Sequence, residues 1–236
     1  MTFLRSLLFA FLQVAITIPY GLIAPLFYPL PPLQRYRVMR LWSRIIIGLA
    51  RWVLGIRYRV IGLEHLPNGP CVVLAKHQSA WETIAFQLFM PPLAFVLKKE
   101  LLKIPFFGWG LAMTSPIAID RNAGREALKT LEEQGRQRLA QGFWVVIFPE
   151  GSRMPPGVRG RYNVGGAWLA VKAGVPVLPV AHNAGRLWGK NAFIKRAGEI
   201  TVVIGPPIPT AGRKPAEVIA ETEAWIEGQM AALEGG

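Results

Sequence analysis

Two side chains in the stretch "KHQSAWET", residues 76–83, have the types and spacing for acid–base chemistry. His77 is one of three histidines in 236 residues, and Glu82 follows it by five positions. An imidazole held at one nitrogen by a carboxylate is a general base for removing a proton from an alcohol or a water. The same stretch has a second meaning. Ser79-x-x-Glu82 is a capping box that opens a helix over "AWETIAFQLF". Within one continuous helix, residues i and i+5 would point about 140° apart. His77 and Glu82 therefore meet only if His77 lies in the turn before the helix, which is where the cap places it.

Other candidates cluster at the ends of apolar runs. "FPEGSR", 148–153, follows an apolar run, and Arg153 there suits a phosphate, with nearby backbone N–H groups helping. "KKELLKIPFFGWGL", 98–111, places Lys98, Lys99 and Lys103 beside another run, and "IDR", 119–121, ends a third with Asp120 and Arg121. Several familiar sites are missing. "GRLWGK" at 185–190 has the wrong spacing for a phosphate-binding loop, "GWG" at 108–110 lacks the third glycine of a dinucleotide fingerprint, and no G-x-S-x-G is present. One cysteine, Cys71, excludes an intrachain disulfide, and with three scattered histidines it makes no usual zinc set, so no metal is expected.

Elements must hold these groups. "IRYRVIG" alternates like a half-buried strand, and "CVVLA", "LAFVL", "PIAI", "FWVVIF", "VPVLPV" and "ITVVIG" are short apolar runs bounded by Gly, Pro or charge. Helical patterns fall at about 123–141, 163–173 and 215–233. Alternating strands and helices predict an α/β domain, a layered sheet with flanking helices. His77 then lies at a strand-to-helix junction, where such domains place functional groups. The Pro/Gly-rich "MPPGVRGRY", 154–162, reads as a mobile cover.

The first quarter differs in character. Residues 1–63 carry eight arginines, no lysine and no acid, against a net charge of +13 for the chain. Ser6 to Gln34 is uncharged and interrupted by prolines, the first of them Pro19. A helix from Phe3 to Ile18 would reach only about 24 Å, short of the ~30 Å hydrocarbon core, which favours a segment dipping into one leaflet, ahead of a proline-kinked helix that continues and spans, and of a signal peptide. Residues 37–54 read as an amphipathic helix, with Arg37, Arg40, Arg44 and Arg51 as its basic stripe. Hydrophobic residues at 52% and charged residues at 17% fit a membrane-attached globular domain. The division expected is 1–55, a membrane-associated helical segment facing an anionic surface, and 56–236, the α/β domain. Nucleic acid is a poor match, because the arginines sit among Leu, Ile and Trp and no binding motif appears.

Taken in order, His77-x4-Glu82, Lys99-Glu100-Leu101 with Pro105, Phe107 and Gly108, Asp120-Arg121, "FPEGSR" and "VPVLPV" resemble the blocks of the glycerolipid acyltransferases over residues 60–208. They look most like those of the bacterial members that acylate 1-acyl-sn-glycerol-3-phosphate. The family pattern is His-x4-Asp, so Glu82 is a departure; so are Lys76, where Asn is common, and Ser152, where Thr is common. The resemblance implies transfer of a fatty acyl chain from an acyl-CoA or acyl carrier protein thioester to the sn-2 hydroxyl, giving phosphatidic acid for phospholipid synthesis. It implies His77 as base, Glu82 as its orienter, and a substrate-binding set of Lys99, Arg121, Glu150, Gly151, Ser152 and Arg153, in which Arg121 and Arg153, with Lys99 nearby, hold the phosphate and Glu150 and Gly151 shape the loop. The acyl thioester is a co-substrate, with no resident cofactor. The implied partners are lysophospholipid, acyl thioester, an anionic membrane and acyl carrier protein. The implied location is the cytoplasmic face of a bacterial inner membrane. A different lyso-lipid acceptor, such as a lyso-ornithine lipid or lysophosphatidylethanolamine, or a non-catalytic lipid-binding protein, are the alternatives.

Overall fold

All seven apolar runs become strands, and they form one sheet. The structure, a computed structural model, describes residues 1–120 and 123–235. The strands are β1 (Ile56–Ile61), β2 (Val72–Ala75), β3 (Leu93–Lys98), β4 (Ile117–Ile119), β5 (Trp144–Ile147), β6 (Val177–His182) and β7 (Gly198–Ile204). Their order across the sheet is β1-β7-β6-β2-β5-β3-β4. Every neighbouring pair is parallel except β6 and β7. The central strands β2, "VVLA", and β5, "WVVI", are buried at every position, because helices cover both faces of a parallel sheet. The edge strand β1 keeps the alternation of a half-exposed strand.

The helices are α1 (Thr2–Ile23), α2 (Pro32–Leu49), α3 (Trp81–Phe89), α4 (Phe107–Ala112), α5 (Arg125–Ala140), α6 (Gly165–Ala173) and α7 (Pro215–Gly235). The parallel strands β6, β2, β5, β3 and β4 end on one edge of the sheet. The turn holding His77, the Lys98–Lys99 pair, Asp120 and residues 148–153 all lie at that edge.

The first quarter shows two features that local pattern does not carry. α1 runs through Pro19 and continues as a 3₁₀ turn to Phe27, so the apolar helix is long enough to cross a membrane, with a mean hydropathy of 2.0 and 17% of it buried. A proline deletes one helical hydrogen bond, and packing must offset that loss. Here the Tyr20 hydroxyl donates to the Val38 carbonyl, and Gly21 lies so close to the backbone of Phe106 that an added Cβ would sit 2.3 Å from its carbonyl oxygen. Secondly, residues 1–55 and the sheet share one core. Phe9, Tyr36, Ile46, Ile47, Ala50 and Leu54 belong to the same apolar cluster as Val73, Trp81, Phe143 and Val180.

α2 is amphipathic, but its faces differ from the reading above. Tyr36, Met39, Ser43, Ile46 and Ile47 are buried, while Leu41, Ile45 and, beyond its end, Trp52 are exposed beside Arg37, Arg44 and Arg51. Arg40 leaves the basic stripe and donates to the Leu88 carbonyl at 2.8 Å. The outward face thus mixes apolar and basic side chains, a composition suited to a headgroup boundary.

Because the core crosses residue 55, a chain beginning at Arg57 loses seven core side chains, Ile56 included, of which the larger are worth about 2–5 kcal/mol each. We expect it to lose cooperative thermal unfolding and near-ultraviolet circular dichroism. A sharp melting transition in that fragment would show that the sheet stands without its helices.

Candidate active site

β2 ends at Ala75, and the chain turns through His77 before α3 begins at Trp81. In that turn His77 Nδ1 lies 2.9 Å from Glu82 Oε1. The same oxygen accepts the backbone N–H groups of Gln78 at 3.0 Å and Ser79 at 2.8 Å. Ser79 Oγ accepts the N–H of Trp81 at 3.1 Å, and Ala80, not Ser79, takes the N-cap position. The helix starts one residue later than the capping box implies, yet capping and imidazole contact both converge on one carboxylate oxygen.

Burial of Glu82 opposes its ionisation, but the neighbouring His182, the hydrogen bond from His77 and the Ser79 N–H outweigh it and hold the carboxyl below its ordinary value. An ionised oxygen accepts, so the His77 proton sits on Nδ1. Nε2, which has no hydrogen-bond partner among the described residues, keeps its lone pair for chemistry. The ring lies flat on Phe148, with centroids 3.9 Å apart and planes 13° from parallel. Only 12% of the side chain is exposed, which fixes its orientation.

The backbone of this turn is held as firmly as the ring. Glu150 Oε2 accepts the His77 N–H at 3.1 Å, and the His77 carbonyl accepts the Met154 N–H at 2.7 Å. Glu150 Oε1 accepts Lys76 Nζ at 2.7 Å and the Gly160 N–H at 3.1 Å. Glu150, expected in the substrate-binding set as a residue that shapes its loop, turns inward, both oxygens engaged by the protein itself. Lys76, 2% exposed, also donates to Glu227 Oε1 at 2.9 Å and to the Val158 carbonyl at 3.1 Å. The segment 154–162, expected to be a mobile cover, is pinned instead. Besides those bonds, the Gly157 N–H donates to Glu234 Oε2 at 2.7 Å and Arg159 pairs with Glu223.

Above His77 opens a cavity of about 610 Å³. Gln13, Thr17, Tyr20 and Gly21 of α1, with Met39 and Trp42 of α2, form one wall, facing Phe95 and Phe148 of the sheet edge. Its cationic lining is Lys98, Arg153 and Lys190. Ser152 and Gly151 line it too, and Gly151 adopts φ +69°, a left-handed turn that glycine makes without strain. Lys99, expected at the headgroup, is paired with Asp120 outside the cavity lining; its neighbour Lys98 takes that place. Arg121 lies outside the described residues.

Sequence reasoning missed Lys190 and His182 as site residues. His182 ends β6 and is fully buried. Its Nε2–H donates to the Lys76 carbonyl at 2.8 Å, and its Nδ1 accepts the Ala184 N–H at 3.3 Å. Nε2 also stands 3.9 Å from Glu82 Oε1. Burial pushes the pKa of this imidazole below its ordinary value, against the opposing pull of Glu82. A histidine opening "HNAG" directly after an apolar strand was the available signal.

A family model described as Acyltransferase matches residues 57–183. A 1-acyl-sn-glycerol-3-phosphate acyltransferase of Pseudomonas aeruginosa is 48% identical over 235 residues, covering 98% of this chain and 91% of that protein. One of Limnanthes douglasii is 30% identical over 196 residues, covering 82% and 69%. The crystal structure of the 1-acyl-sn-glycerophosphate (LPA) acyltransferase PlsC of Thermotoga maritima superposes with a TM-score of 0.82 at 25% identity, covering 99% of this chain and 96% of that one.

The buried pair gives stability a definite pH dependence. His182 titrates below the 6.5 of an unfolded histidine, so its contribution is complete above that value and drains as pH falls through it. Glu82 titrates below 4.5, so its contribution is lost at still lower pH. Both act in one direction, and Tm should decline in two stages on acidification. In His182→Gln, whose amide can still donate to the Lys76 carbonyl, the stage near pH 6.5 should vanish. Persistence of that stage in the variant would assign it to another group.

Proposed function

Because the chain belongs to the acyltransferase family, we propose that it transfers a fatty acyl chain from a thioester to the sn-2 hydroxyl of 1-acyl-sn-glycerol-3-phosphate, giving phosphatidic acid. The observation that carries this reading is the position of His77, whose unpartnered Nε2 belongs to a side chain lining a largely apolar cavity with cations in its wall. A lyso-lipid with a phosphate headgroup has the matching chemistry: an alcohol for the base, a dianion for the cations, and a hydrocarbon chain for the apolar wall.

The roles follow from the geometry. His77 Nε2 takes the proton of the acceptor hydroxyl as the oxygen attacks the thioester carbonyl. Glu82 Oε1 holds Nδ1–H and stabilises the imidazolium that forms. The tetrahedral adduct collapses with loss of the thiolate, and His77 returns its proton to the departing sulfur or to solvent. No protein nucleophile is required, because a thioester is already activated. Arg153 offers a guanidinium fork to the phosphate, supported by Lys98 and Lys190 in the same wall. Arg121 belongs to this set on the family pattern alone.

The donor, an acyl-CoA or an acyl carrier protein thioester, is made in the cytoplasm. We assign the site to the cytoplasmic face of the inner membrane, with α1 and the basic face of α2 on its anionic surface. The eight arginines without an acid in residues 1–63 support that side.

Purified protein in anionic vesicles, given labelled acyl-CoA and a panel of lyso-lipids, should convert lysophosphatidic acid to phosphatidic acid in preference to lysophosphatidylethanolamine or lyso-ornithine lipid. A preference for either of those would overturn the acceptor. His77→Ala should lower kcat by about 10²–10⁴-fold while melting as a folded protein. Glu82→Gln keeps an oxygen for the three N–H groups but buries an amide NH₂ where Oε2 stands without a partner. We expect a loss of about 1–3 kcal/mol in stability and at least tenfold in kcat. An unchanged kcat would reduce Glu82 to a helix cap.

Arg153→Ala should raise the KM for lysophosphatidic acid more than that for the thioester. The expected loss in kcat/KM is about ten- to a hundredfold, that of a charge-assisted hydrogen bond. A change confined to the thioester KM would move Arg153 to the donor's phosphates.

A further inference from the structure

Between β6 and β7 the chain makes an excursion, "AGRLWGKNAFIKRA" at 184–197, with four basic residues and no acid. Its tip displays Phe193 and Ile194, 45% and 48% exposed, beyond a turn in which Asn191 adopts φ +55°. Adjacent large apolar side chains at a loop tip mark a surface that something covers.

The tip is fastened to α1. The Phe193 ring lies 5.6 Å from that of Phe3, and the Lys195 N–H donates to Ser6 Oγ at 3.0 Å. Lys195 Nζ stands over the rings of Phe9 at 5.6 Å and Trp188 at 5.0 Å, and Trp188 meets Phe9 edge-on. Phe193 and Ile194 must therefore sit at the depth of the first two turns of α1, whose Phe3, Leu4, Leu7 and Leu8 are about half exposed or more. Exposed Lys190 and Arg196 flank the tip.

We propose that the 189–196 tip is a second lipid-contacting element, with Phe193 and Ile194 inserted among acyl chains and Lys190 and Arg196 on anionic headgroup phosphates. The proposal rests on reading α1 as the membrane-inserted helix. It carries a consequence for the site. Lys190 also lines the cavity that holds His77, so seating the tip brings the cavity wall to the lipid surface, and a lyso-lipid reaches the base without crossing water.

The test uses the full chain with Phe193→Cys, labelled with a polarity-sensitive fluorophore. Cys71 is buried, and burial pushes its thiol pKa up, so it stays unlabelled. On phosphatidylglycerol vesicles the label should brighten several-fold and be quenched by lipids brominated along their acyl chains. A parallel Leu7→Cys label reports α1. Quenching at Leu7 without quenching at 193 would overturn the tip and leave the helix anchor standing. Absence of quenching at both would overturn the two together. Equal quenching at 193 on phosphatidylcholine vesicles would overturn the roles given to Lys190 and Arg196.

Discussion

The arrangement at the sheet edge depends on one buried charge knot. Lys76 presents three donors, and three acceptors meet them: Glu150, Glu227 and the Val158 carbonyl. Glu150 spends its remaining oxygen on the His77 N–H, and Tyr162 donates to Glu227 at 2.7 Å. Burying such charges costs several kcal/mol per ion unless every lone pair and proton is matched, and here the matching is nearly complete. The knot ties the turn after β2 to the loop after β5 and both to α7. It fixes the backbone from which His77 projects, so the orientation of that imidazole depends on a charge cluster behind it.

A comparable economy appears at Glu82. Its Oε1 caps α3 and orients the imidazole, while Oε2 is buried without a hydrogen bond. Such an orphan oxygen costs about 1–3 kcal/mol. Its tolerance fits a site where charge on the carboxylate has a use beyond folding. His182 completes the support from behind, holding the carbonyl of Lys76, the residue that precedes the base. His77, Glu150 and His182 thus lie at or just beyond the carboxyl ends of β2, β5 and β6, which the parallel pairing brings side by side, and Glu82 comes from the first turn of α3.

The N-terminal helices serve two surfaces at once. Outward, α1 and α2 show apolar and basic side chains suited to a lipid boundary; inward, they close the cavity and complete the core. The helices whose outer faces suit a lipid boundary are thus the ones whose inner faces line the cavity. The same helices on the N-terminal side of residue 55 carry the outward apolar face and part of the core.

Local features were legible in the sequence. Each strand announced itself as an apolar run with boundaries, and the His77–Glu82 contact followed from a turn and a cap within six residues. Interactions that close over short distances need no knowledge of the fold. Tertiary structure decided the rest. Lys98 and Lys99 differ by one residue, yet one lines the cavity and the other pairs with Asp120, because successive side chains at a strand end point to opposite sides. Glu150 turned inward because Lys76, 74 residues away, stands beside it on the neighbouring strand. The 154–162 loop is pinned by α7 through Glu223, Glu227 and Glu234, acids that lie 64 or more residues further along the chain. Lys190 reached the cavity through a loop fastened to the other end of the chain. Composition and period carry no record of which strand lies beside which, and the placement of every one of these charges depends on that pairing.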